Sequence, residues 1–167
     1  MVKIKLKLKI MKKLLLVIAM VAFGFTAKAQ DGEFNLGANI GFPSGAISNA
    51  TSFAFGIEAN YLFEVSDNFK LGPSVSYQHF LGKSVAGVSL PSASIIPIAA
   101  AGRFGVSDEF TLGADLGYAV GASNVSGGAF YFRPMVGYDI SEKIMLQAFY
   151  SGADTINMFG VGAMFSL

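Results

Sequence analysis

From residue 33 onward, apolar residues alternate with small or polar ones in eight stretches of roughly ten residues. Period two is the mark of a strand with two unlike faces, because successive side chains point to opposite sides. The stretches run about 33–42, 52–63, 69–80, 94–105, 110–120, 129–139, 144–151 and 157–167. Their apolar faces read, for example, Phe34, Leu36, Ala38, Ile40 and Phe42 in the first and Phe110, Leu112, Ala114, Leu116 and Tyr118 in the fifth. An internal repeat separates them. VSDNFKLGPSVSY at 65–77 matches VSDEFTLGADLGY at 106–118 in seven of 13 positions, and ISEKIML at 140–146 is a weaker third copy. Each copy is a Ser-Asp or Ser-Glu turn running into a strand. Three equivalent short turns on one rim predict eight antiparallel strands, with loops at about 43–51, 81–93, 121–128 and 152–156 on the other.

The opposite face is small or polar, carrying Asn39, Glu58, Asn60, Lys70, Ser74, Ser76, Gln78, Arg103, Asp115, Tyr131, Arg133 and Gln147 with many glycines. Such alternation fits a soluble barrel with its apolar face inward or a membrane barrel with that face outward. Volume separates the two. The interior of an eight-stranded barrel is barely wide enough for side chains, and the apolar face bears over a dozen aromatic rings. The reverse arrangement would also turn a glycine-rich, weakly charged face toward water.

Aromatic spacing points the same way. Phe63, Phe69, Phe104, Phe110 and Tyr138 each lie three residues from a turn serine (Ser66, Ser107 or Ser141), and Phe55, Tyr77, Tyr118 and Phe130 each lie eleven away. At strand rise and barrel tilt these two rows are roughly 20 Å apart, close to the separation of the aromatic girdles that flank the apolar band of a membrane barrel. Pro73, Pro97 and Pro134 fall inside strands. Proline cannot donate to a ladder, so a local bulge is expected at each.

Composition and charge narrow the classes. Cys is absent, which excludes disulfides, thiolate metal sites and cysteine nucleophiles. Seven of the 12 basic residues precede residue 30, whereas all 11 acidic ones follow it. Residues 11–29, MKKLLLVIAMVAFGFTAKA, have the basic start, short apolar run and small-x-small ending of a secretory leader. Residues 1–29 are therefore expected to be a signal peptide cleaved after Ala29, with 1–10 an extended n-region or a consequence of start-codon choice between Met1 and Met11, and 30–167 the barrel domain. A chain beginning at Gln30 holds five basic and 11 acidic residues, a net charge of −6, which disfavours nucleic acid as a partner.

With the leader, the eight alternating strands and the aromatic rows, the chain resembles the small outer-membrane β-barrel family, including the OmpA transmembrane domain and OmpX-like barrels. The resemblance implies an all-β, up-and-down transmembrane barrel in the outer membrane, in contact with its lipid. It also implies recognition by the barrel-assembly machinery through a last strand of alternating apolar residues. Here Phe159, Val161, Ala163, Phe165 and Leu167 alternate as required, with Leu in place of a terminal aromatic.

The charges expected in the lumen are Glu58, Lys70, Arg103, Asp115 and Arg133. Glu58, Asp115 and Arg133 lie eight residues from their turn serines, and Lys70 and Arg103 four. A satisfied polar network is the expected arrangement, because an unpaired buried charge is costly. A narrow channel or small-solute barrel is the alternative, and a soluble periplasmic ligand-binding barrel a third reading. His79 is the single histidine, with no serine at the spacing of known barrel lipid hydrolases and no orienting acid, so no catalytic residue is assigned. No cofactor or metal site is expected, and the glycine-rich 121–128 lacks the context of a phosphate loop. The 81–93 loop could meet an unknown surface ligand. The function expected is a structural or surface-interaction role without catalysis.

Overall fold

A computed structural model describes residues 32–167; the expected leader lies outside the described residues. Ten strands form: β1 (Gly32–Ser44), β2 (Thr51–Ser66), β3 (Phe69–Gly82), β4 (Ser84–Val85), β5 (Val88–Ser89), β6 (Ala93–Gly105), β7 (Phe110–Ser123), β8 (Gly128–Ser141), β9 (Ile144–Ala153) and β10 (Ile156–Ser166). Eight of them close a barrel in the order β1-β10-β9-β8-β7-β6-β3-β2, all antiparallel. Closure comes from β1 and β10, paired from Asn35–Ser166 to Ser44–Asn157. A closed ladder leaves no edge, which is what lets strands cross a membrane without unsatisfied backbone groups.

The strands outrun the alternation that predicts them, so the far-rim connections shrink to 45–50, 83–92, 124–127 and 154–155. Small polar residues such as Ser123 and Gly152 still pair, with Ser94 and with Phe132 and Asn157. The 83–92 connection contains the hairpin β4–β5, turned by Ala86 and Gly87, both at positive φ (50° and 81°). Gly45–Asn49 form a 3₁₀ turn between β1 and β2.

No bulge forms at the three prolines. Pro73 pairs with Ala100, Pro97 with Ala119 and Pro134 with Ala114, and the register runs through each unbroken. Each proline lacks a donor toward one neighbour only. The pairing lapses there for two residues and resumes in the same register: toward β2 beside Pro73, β3 beside Pro97 and β9 beside Pro134. The register shifts instead lie close to the rims, at Thr51/Phe53, Glu64/Ser66, Ser94/Ile95 and Asp139/Ser141.

The apolar face of each strand points outward. Phe42, Ile57, Leu116, Phe130 and Val161 are all more than half exposed, whereas Arg133, Asp115 and Gln78 are almost wholly enclosed. Midway between the aromatic rows, every barrel strand turns a small side chain outward: Ala38, Ala59, Pro73, Ala100, Ala114, Pro134, Ala148 and Ala163. The outer wall thus has a narrow waist between two bulky belts.

Candidate functional site: the lumen and its charge layer

Inward positions of the eight strands divide the lumen into three zones. The middle zone is ionic. Arg133 on β8 reaches Glu58 on β2 at 2.5 Å. These strands are four steps apart either way around the barrel, so the pair spans its diameter. Arg133 Nε also lies 3.2 Å from Asp115 on β7, and Asp115 takes a 2.6 Å bond from Arg103 on β6. Gln147 on β9 accepts from Arg133 Nη2 at 3.3 Å and donates to Glu58, and Asn39 on β1 donates to Glu58 at 3.4 Å. The guanidinium of Arg133 stands 4.8 Å from the centroid of the Phe149 ring. Two cations and two anions balance, and the Gln147 and Asn39 amides donate to Glu58, which lowers the cost of burying these ions, although Arg133 Nε and Asn39 Oδ1 make no hydrogen bond among the described residues. Gly113 makes room for this layer: a Cβ there would fall 2.8 Å from Arg103 Cδ.

The outer zone is mainly apolar, with Gln78 a buried amide in it whose side chain finds no hydrogen-bond partner among the described residues. Phe80, Ile95, Tyr131, Phe149 and Met158 fill the zone, each at most 6% exposed. Ile47, Val125 and Ile156 pack over this core. The connections above are tied to one another. Lys83 Nζ donates to Ser48 O at 2.6 Å, Asn124 Nδ2 to Ser92 O at 2.7 Å, and the Ile47 amide to Thr155 O at 3.3 Å. The sequence reading of this face as small or polar therefore holds for only part of its length. The reason is physical: a closed lumen end excludes water, and side chains that fill it gain by being apolar.

The turn-side zone is polar and hollow. A cavity of about 450 Å³ opens there, lined among others by Glu33, Asn35, Asn60, Lys70, Arg103, Asp139 and Ser166. Lys70 bonds Glu33 at 2.6 Å, Ser166 donates to Glu33 or Asn35 (2.9 and 2.7 Å), and Asn35 donates to Asn60 at 3.1 Å. The structure thus gathers Glu58, Arg103, Asp115 and Arg133 into one layer and sets Lys70 apart at the rim with Glu33. Glu33 was a missed partner, although it shares the parity of Asn35 and Asn39 and so belongs to the inward face.

On the outer wall, Phe69 pairs with Phe104, Phe110 with Tyr138 (rings 5.0 Å apart) and Tyr118 with Phe130. Phe63 packs on Tyr61 at 4.9 Å, Phe55 lies 5.2 Å from His79, and Tyr77 stands beside that histidine. Further rings extend the outer row across β8, β9 and β10: Phe132, Tyr150 and Phe159, at 5.8 and 4.7 Å. Counting from turn serines could not reach Phe159, because β10 follows no such turn.

His79 does meet a serine, brought by pairing rather than by sequence spacing. Ser94, its partner on β6, has Oγ 2.8 Å from His79 Nδ1 and 2.9 Å from the Tyr77 hydroxyl. Ser94 is 0% exposed, no carboxylate bonds the histidine, and the hydroxyl is covered by the two rings it bonds. This is a closed hydrogen-bonded cluster on the wall, without the open approach a nucleophile needs. Among the described residues no group of three or more His, Cys, Asp or Glu could hold a metal ion.

Comparison with solved structures places this fold among membrane barrels. Yersinia pestis Ail in a phospholipid nanodisc is similar, with 15% identity and a TM-score of 0.57 over 82% of this chain and 100% of that one. The N-terminal barrel domain of Pseudomonas aeruginosa OprF has 15% identity and a TM-score of 0.57 over 83% and 98%. A de novo designed transmembrane β-barrel has 13% identity and the same TM-score over 83% and 98%. No curated protein matches the chain. A family model described as "Outer membrane protein beta-barrel domain" matches residues 14–167. The chain belongs to the outer-membrane β-barrel family, as an integral protein of the outer membrane.

Proposed function

We propose that this barrel is a non-conducting, non-enzymatic outer-membrane protein with a structural or surface-interaction role. The observation that carries the reading is the Arg133–Glu58 strut across the lumen, sealed on its outer side by the apolar core. A narrow channel would need a continuous wet path, and the outer zone offers none. Catalysis is disfavoured by the covered Ser94 hydroxyl and by the absence of an acid on His79. Lipid is the permanent partner, met by the aromatic rows Phe63, Phe69, Phe104, Phe110 and Tyr138 on one side and Phe55, Tyr77, Tyr118 and Phe130 on the other, with aromatic rings at interface depth.

Ail is named for attachment and invasion. A surface role here would use a compact rim, because the outer connections are short and mutually bonded, with the Val85–Val88 hairpin their most exposed apolar part. We further propose export by cleavage after Ala29 and assembly through β10, whose alternating residues close against β1. Purified barrel in a planar bilayer tests the main reading. It should give no stepwise conductance while migrating as a compact band until boiled. Steady ion conductance from the compact form would refute it.

A further inference from the structure

The turn-side cavity has a polarity that the barrel's own contacts do not use up. Glu33, Lys70, Ser166 and Asn35 are bonded to one another. Two residues keep spare donors deep inside. Arg103 is 6% exposed, and its Nη1 serves Asp115 and Gly102 O, leaving Nε and Nη2 without a partner among the described residues. Asn60 is 4% exposed, and its Oδ1 accepts from Asn35 while its Nδ2 donates to no described residue. Nearer the opening the spare groups are acceptors. Asp139 is half-buried and makes no ion pair with a described residue, and Asp67 and Asp108 are exposed. All five residues line the same cavity.

Spare donors at the bottom and spare carboxylates at the mouth select against simple ions. An anion alone crosses a negative rim to reach Arg103, and a cation alone finds donors at the bottom. A molecule with both charges satisfies both ends at once. We propose that the vestibule binds a small zwitterion, its carboxylate or phosphate on Arg103 and Asn60 and its ammonium at Asp139. The cavity, at about 450 Å³, has room for a molecule of this size. This goes beyond the closed-barrel reading and does not depend on it, since a blind vestibule and an open lumen would both present these groups.

The test is amide-resolved NMR of the full barrel in nanodiscs, titrated with γ-aminobutanoate and with O-phosphoethanolamine, and with butanoate and butylammonium as single-charge controls. The expected result is saturable shifts around Asn60, Arg103 and Asp139 from at least one zwitterion, with both controls at least about ten-fold weaker. Which zwitterion binds tells a carboxylate ligand from a phosphate one. Asp139→Asn, checked for folding by its band shift on boiling, should weaken the zwitterion about ten-fold and leave butanoate no weaker. No saturable shift from either zwitterion, butanoate binding as well as they do, or an unaffected Asp139→Asn variant would each overturn the proposal.

Discussion

The outer and turn-side halves of the lumen hang on the same eight strands and obey the same alternation, yet they are built as opposites. The outer half is filled with Phe80, Ile95, Phe149 and Met158 and roofed by bonded connections. The turn-side half is an open hollow lined by Glu33, Lys70, Asn35 and Asp139, with Leu62, Met145 and Met164 also in its wall. Between them the Arg103–Asp115–Arg133–Glu58 layer is the boundary. A membrane barrel's inner face is therefore not polar by rule. Its polarity follows access to water, and only the end left open retains a wet surface.

Mutations along the axis sharpen that contrast. The largest effect is expected at the boundary. Arg133→Ala strands Glu58 and weakens the support of Asp115, a loss of about 3–5 kcal/mol, read as a lower urea midpoint for the boiled-band transition. It should not open a pore, because the outer core stays. In the apolar half, Phe80→Ala leaves a void in a site 1% exposed and should cost about 3 kcal/mol by the same assay. On the wall, Ala148→Arg places a charge at the waist and should cost about 2–3 kcal/mol, in keeping with a mid-membrane position. The smallest effect is expected in the wet half. Lys70→Met removes a pair whose side chains are 36% exposed, so the change should stay under about 1 kcal/mol. A Lys70→Met loss as large as that of Arg133→Ala would erase the distinction between the halves.

Much of this was legible in the sequence because a strand in a barrel reports its faces directly. Alternation located all eight barrel strands, and the repeat at 65–77, 106–118 and 140–146 placed the three short turns. Distance from a turn serine also gave the level of Glu58, Asp115 and Arg133. Levels are not partners, however. Arg103 and Lys70 are cross-strand partners, yet the Arg103 side chain reaches Asp115 on β7 while that of Lys70 reaches across β2 to Glu33. Pairing across strands hid the Ser94–His79 contact for the same reason. The apolar outer lumen was missed because Phe80 and Met158 sit in strands whose other inward residues are small or polar, and period two alone does not say where water ends. A proline in a strand does not by itself signal a bulge here, because a lost donor costs bridges toward one neighbour without shifting the register.

The orientation of the wall underlies every zone of this barrel, and methyl NMR in nanodiscs reads it. Contacts with lipid acyl chains should appear for Ala38, Ala100 and Ala148, strongest to the terminal methyl groups, and should be absent for Met158 and Met135. Acyl-chain contacts at Met158 with none at the waist alanines would contradict the account.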